Sequence, residues 1–407
     1  MESSTDPLSP TLQHLKAAFL SMEPTDCLIS LARDTGGGHI TEEIQCFILE
    51  HCNKYVDNKG SVQNNIYITS LLKKIIVELE SSCDDVLEGL YELYACCMTS
   101  LKGVGSRRTF RSISYFFPDG SKNLVVPLQC SLNMLDGDTG CFIWPSSLFM
   151  SEFILSYPEL FLNKFCFEVG SGVGLVGIAL AFSKCYRVVL SDGGLSSLAN
   201  MKSNLELNQL CTEDEALGAT LQHANKVECR YLPWESTSET ELQGYQPDIV
   251  LGADVIYDPL CVPHLVRVLA NLLKREGTNP NMGEEKNSLE ASSHCHDNDE
   301  YEATDDNGNS KECLHGSPNR ISHDGGSRYS NPSKSERCES VRDEARKAPV
   351  VYIAQVIRKE ETFNYFLKTA EEAHLVVVDV TGKWKPMNLL PYMRSYDRSS
   401  ISFYEVS

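Results

Sequence analysis

Residues 164–181 read KFCFEVGSGVGLVGIALA, and the chain is organised around them. Phe165, Phe167 and Val169 give the aromatic and β-branched character of a buried strand. Gly170, Gly172 and Gly174 follow as a turn in which Cβ atoms would block a ligand. Leu175, Ile178, Ala179 and Ala181 then open a helical pattern. Such a turn leaves bare backbone N–H groups and a helix N-terminus beside a bound molecule. Glu168 stands just before the glycines, where a carboxylate can accept from hydroxyls. Glycines plus an acid suggest a ligand that contains a nucleoside. Gly172, Gly174 and Gly177 also fit the dinucleotide pattern G-x-G-x-x-G, with Asp192 near the expected distance beyond. The turn alone leaves both cofactor types open.

Downstream, strands and helices alternate. Arg187–Ser191, Val227–Tyr231, Asp248–Ala253, Val350–Ile357, Leu375–Thr381 and Ser400–Val406 read as strands. Ser196–Asn208, Pro263–Lys274 and Glu361–Ala373 read as helices between them. This alternation predicts an α/β fold, a doubly wound sheet of seven strands, largely parallel. The last two strands have no helix between them, which predicts an antiparallel strand at the sheet edge. Candidate ligand groups then gather at the carboxyl ends of consecutive strands, where open sheets bind ligands. Asp192 can accept from ribose hydroxyls, Trp234 can stack on a purine, and the backbone at Ala253-Asp254 closes the site.

Upstream, residues 8 to 100 show four amphipathic runs: Leu12 to Met22, Ile44 to Ile48, Tyr67 to Glu80, and Asp84 to Met98, the last with Asp84 as its cap. They predict a helical N-terminal domain over 1–105, a docking or structural module. Residues 106–145 read as a hairpin and linker. Strands are expected at Ser112–Phe117, Leu124–Gln129 and Gly140–Trp144, with Asp119-Gly120 at the turn. Arg107, Arg108 and Arg111 read as a solvated loop, and Ser146–Leu155 as a helix. Residues 276–348 hold no Phe or Trp, and carry 16 acidic against 9 basic residues. That composition predicts a disordered acidic insertion. Its His294, Cys295, His296, Cys313 and His315 are too irregularly spaced for a metal site, so no metal is expected.

At 407 residues the chain has room for about two domains. The net charge of −20 argues against a nucleic-acid backbone as partner. The 16 cysteines are scattered, without a C-x-x-C pair, and read as reduced thiols of a cytoplasmic protein. No stretch suits a signal peptide or a membrane span. A monomer is expected.

Glu168-x-Gly170-x-Gly172-x-Gly174 resembles the S-adenosylmethionine motif of class I (seven-β-strand) methyltransferases. Asp254-Val255-Ile256-Tyr257 is similar to the D-x-x-Y motif of methyltransferase family 16, whose members mostly methylate protein lysines. Trp144 matches the tryptophan which that family places before its first helix, and Trp234 the residue bordering the adenine. The resemblance implies S-adenosylmethionine as cofactor, and residues 146–275 with 349–407 as the catalytic domain. It implies Asp254 and Tyr257 as catalytic residues. Trp144, Glu168, Gly170, Gly172, Gly174, Asp192, Trp234 and Ala253 would hold the cofactor. The helical extension resembles the elongation factor 2 lysine methyltransferase subgroup, which implies that factor as the protein substrate. The insertion departs from the family pattern but removes no motif residue. A nicotinamide-dependent oxidoreductase and a non-catalytic scaffold are the alternatives. The first lacks a suitable Tyr-x-x-x-Lys, and the second is at odds with the intact glycines and acids.

Overall fold

Leu15, Phe19, Ile44, Ile48, Leu71, Leu72, Ile75 and Leu90 carry the helical periodicity upstream, and all are buried. The computed structural model describes residues 8–57, 62–100, 108–120, 123–132, 139–210, 226–275 and 348–407. The acidic insertion and its His and Cys residues lie outside the described residues. The first part forms five helices, not four: α1 (Pro10–Leu20), α2 (Thr25–Thr35), α3 (Glu42–Asp57), α4 (Val62–Ser82) and α5 (Glu88–Ser100). In α2, Asp26, Ser30, Arg33 and Asp34 dilute the apolar pattern, yet Leu28, Ile29, Leu31 and Ala32 are buried. Asp84 does not cap α5. Its N–H donates to Leu79 O at 3.0 Å and closes α4 instead.

These helices share one compact unit with the rest of the described chain. Buried Glu23 accepts from the N–H and hydroxyl of Ser395 at 3.0 and 2.7 Å. Arg394 pairs with Asp34 of α2. The hairpin β1 (Arg108–Tyr115) and β2 (Leu124–Ser131) is antiparallel, with Ile113 opposite Val126. Arg108 and Arg111 belong to β1 and not to a solvated loop. Arg108 bonds Asn200 and Ser196, and Arg111 donates to Ser21 O, so each guanidinium meets fixed acceptors. Gly140–Trp144 forms no strand beyond an isolated bridge from Phe142 to Ser131. A tight turn at Thr139–Cys141 replaces it. There a Cβ on Gly140 would lie 1.9 Å from the Ser197 hydroxyl, so the chain passes where only glycine fits.

The rest is the sheet and its helices. In chain order come α6 (Pro145–Ser156), α7 (Pro158–Phe161), β3 (Phe165–Val169), α8 (Leu175–Phe182), β4 (Arg187–Asp192), α9 (Leu195–Leu207) and β5 (Lys226–Tyr231). Then come α10 (Glu239–Gln243), β6 (Ile249–Ala253), α11 (Val262–Leu273), β7 (Val350–Val356), α12 (Glu360–Glu372), β8 (Val377–Asp379) and β9 (Ile401–Val406). The sheet order is β5-β4-β3-β6-β7-β9-β8. Strands β3 to β7 are parallel, while β9 runs antiparallel to both neighbours. The antiparallel strand is therefore not at the edge: β9 inserts between β7 and β8, and short β8 takes the edge. Each face has its own core. Cys166, Val188 and Leu251 meet α6 and α8 on one side. Phe167, Val189, Val250 and Ile353 meet Leu265 and Leu269 of α11 and Phe366 of α12 on the other.

Candidate active site

Gly170, Gly172 and Gly174 have φ of +63°, +53° and +83°, a region that side chains rarely enter. The turn is also crowded. A Cβ on Gly172 would lie 3.0 Å from the Gly140 carbonyl oxygen, and one on Gly170 would lie 3.4 Å from the Trp234 ring. Gly174 is the N-cap of α8 and has no side chain to cap it, while the Gly177 N–H of its first turn meets the Glu168 carboxyl. Asp192, at the end of β4, accepts from Gly172 N–H at 3.0 Å and from Gly194 N–H at 2.8 Å. Asp192, Trp234 and the glycines thus stand together, as their positions at adjacent strand ends require.

Glu168 is placed differently from its neighbours. Its carboxyl is 1% exposed, beneath the turn rather than on its rim. Burial pushes its pKa well up, Asp192 adds to this, and Ser171 and the Gly177 N–H pull against it. Its Oε2 has no partner, and neither has the buried Nε1 of Trp234. Gly177, the last glycine of G-x-G-x-x-G, serves helix–strand packing, since a Cβ there would lie 2.3 Å from Leu190 of β4.

The loop after β6 forms the second half. Asp254 follows Ala253 with φ +56°, a left-handed position that Asp tolerates better than most residues. Its carboxylate is buried and receives Val356 N–H at 3.0 Å, Gln355 Nε2 at 3.3 Å, and two Arg358 nitrogens at 3.1 and 3.3 Å. The Arg358 guanidinium also lies 4.9 Å from the centre of the Trp144 ring. Trp144 precedes α6 and donates from Nε1 to Thr139 O at 3.0 Å. Tyr257 is 56% exposed. Partial desolvation pushes its phenol pKa up, and Cys261, Asp192, Asp258 and Glu235 add to that. A rim with Asp192, Glu235 and Asp258 suits a basic side chain.

Gly140, Gln355 and Arg358 are part of this geometry, and motif reading passes over all three. Arg358 had one available signal. It stands just past the end of the fifth parallel strand, level with the other strand ends that carry site residues.

A family model described as lysine methyltransferase matches residues 126–294. The protein-lysine N-methyltransferase EEF2KMT of Homo sapiens is 29% identical over 262 residues, which is 63% of this chain and 74% of that protein. The calmodulin-lysine N-methyltransferase of Arabidopsis thaliana is 32% identical over 132 residues, 32% of this chain and 40% of that one. Among solved structures, magnesium protoporphyrin IX methyltransferase from Synechocystis aligns with a TM-score of 0.30 at 9% identity, over 68% of this chain and 84% of that one.

Proposed function

The chain belongs to the lysine methyltransferases of family 16, and we propose that it methylates a lysine of translation elongation factor 2. It is a class I protein-lysine methyltransferase, and S-adenosylmethionine is its cofactor. The nicotinamide reading of the glycine turn falls with this assignment. What supports the finer reading is the similarity to EEF2KMT, which runs over 262 residues and so exceeds the region 126–294. The helical first part fits a substrate that is itself a large folded protein.

The residues suit the cofactor. The bare turn admits a ligand backbone-close, Asp192 is tied to that turn through the Gly172 N–H at the end of β4, and Trp234 lies against Gly170 with its indole nitrogen unpartnered. When bound, the cofactor supplies an electrophilic methyl group on a sulfonium. The protein then has to align a neutral amine and exclude water. In our reading Asp254 accepts an N–H of that amine, and the Tyr257 ring lines its approach. Ala253 and Trp144 border the same space.

Asp254→Asn tests the first role. Asn also tolerates the left-handed backbone and keeps an acceptor for Val356 N–H, so the fold should persist. The charge is lost. Single-turnover transfer at saturating cofactor should fall about thirtyfold, roughly 2 kcal/mol of transition-state stabilisation. Tyr257→Phe should fall less. A wild-type rate in Asp254→Asn would reduce Asp254 to a turn former. For the substrate, labelled cofactor and a lysate from cells lacking the enzyme should give one labelled band of elongation factor 2. Label confined to another protein would overturn that identity and leave the lysine chemistry standing.

A further inference from the structure

Arg358 joins two parts of the site. It meets the Asp254 carboxylate through two nitrogens and lies over the Trp144 ring. Asp254 has a side chain 2% exposed, so this pair is held where water screens it little, while Arg358 is 42% exposed and reaches outward. Only the neutral amine of a lysine has a lone pair to accept a methyl group, yet its ordinary pKa is about 10.4. A lone carboxylate beside it would hold the ammonium form and oppose the reaction.

The surroundings sharpen the problem. Asp192 faces the site from the end of β4, Glu235 from beyond β5, and Asp258 from beyond β6, with Glu168 buried beneath the turn. Burial pushes the Tyr257 and Cys261 pKa values up, and the neighbouring acids add to that. Arg358, beyond β7, brings a positive charge to this acidic rim.

We propose that Arg358 is a positioning residue that pairs with Asp254, so that the carboxylate accepts an N–H from the substrate amine without holding the amine as an ammonium ion. The inference rests on the role of Asp254 proposed above. The bidentate bond fixes the carboxylate, and the Trp144 ring fixes the guanidinium plane. The incoming ammonium gives its proton to water, and the neighbouring guanidinium disfavours its return. Arg358 touches neither amine nor cofactor in this scheme.

The test compares wild type, Arg358→Gln and Arg358→Lys. Labelled methyl incorporation into the lysate band is followed from about pH 6 to about pH 10, across the range in which a perturbed lysine titrates. The rising limb should move up by roughly one pH unit in Arg358→Gln. Arg358→Lys, which keeps the charge, should restore most of its position. Both variants should bind S-adenosylhomocysteine in calorimetry as wild type does.

A uniform rate loss at every pH, with the limb unmoved, would mark a merely structural arginine and overturn the inference. A slow Asp254→Asn beside an unmoved Arg358→Gln limb would sink this inference alone. A fast Asp254→Asn, or a wild type that labels no band, would take down the reading beneath it.

Discussion

Gly172→Arg is expected to leave no measurable binding of S-adenosylhomocysteine in calorimetry. The backbone at this position has φ +53°, where an L side chain costs about 1–2 kcal/mol. A Cβ would also press on the Gly140 carbonyl oxygen at 3.0 Å, and backbone cannot turn aside as a side chain can. Relief would require Gly172 to leave its conformation. Its N–H would then lose Asp192 Oδ2, the contact that ties the turn to the end of β4. The longer arginine would fill the space that the glycines keep open. Gly172→Ala bears only the backbone and Cβ costs, so it should lose about tenfold in affinity, the equivalent of roughly 1.4 kcal/mol. The strands below are anchored by buried apolar residues, so the melting temperature of either variant should fall by only a few degrees. Wild-type affinity in Gly172→Arg would remove this turn from the cofactor site.

The contrast between Gly172 and Arg358 explains what the sequence discloses. The glycine turn is a local object: strand, bend and helix start lie within residues 165–182, so pattern and chemistry coincide there. Asp192, Trp234 and Asp254 are legible for a related reason. Each follows an apolar run, and parallel topology brings the ends of such runs to one edge. The Arg358–Asp254 pair spans 104 positions, with the acidic insertion between them. Only the pairing of β6 with β7 makes them neighbours. Gly140 is hidden likewise, because its constraint comes from Ser197, on a helix beyond the first two parallel strands. The misplaced antiparallel strand has a similar cause. Periodicity identifies β8 and β9 as strands but contains no term for which of them pairs with β7. Glu168 shows the opposite failure: its position in the motif is plain, but whether its carboxyl turns inward depends on packing against α8.

Arg398→Met is expected to destabilise the fold by about 3–5 kcal/mol near neutral pH, as removing one partner of a buried ion pair does. Glu152 lies on α6, 0% exposed. Its carboxylate receives Leu389 and Leu390 N–H at 2.9 and 3.1 Å, the Tyr396 hydroxyl at 3.0 Å, and Arg398 through Nε at 2.9 Å and a second nitrogen. One acid thus fastens residues 389–398 to the helix that Trp144 precedes. Burial pushes its pKa up, while Arg398 leads the groups that pull it back. Without Arg398 that restraint is lost, and the folded protein holds the proton to still higher pH. A folded-state pKa above the unfolded value of about 4.3 means that the folded form binds more protons, so stability falls as pH rises through that interval. The loss in Arg398→Met should therefore be larger at pH 8 than at pH 5, measured by urea unfolding at each. Glu152→Gln added to Arg398→Met removes the titrating group and should flatten that difference. An equal loss at both pH values would show that Arg398 contributes through packing of its stem, and not by holding Glu152 ionised.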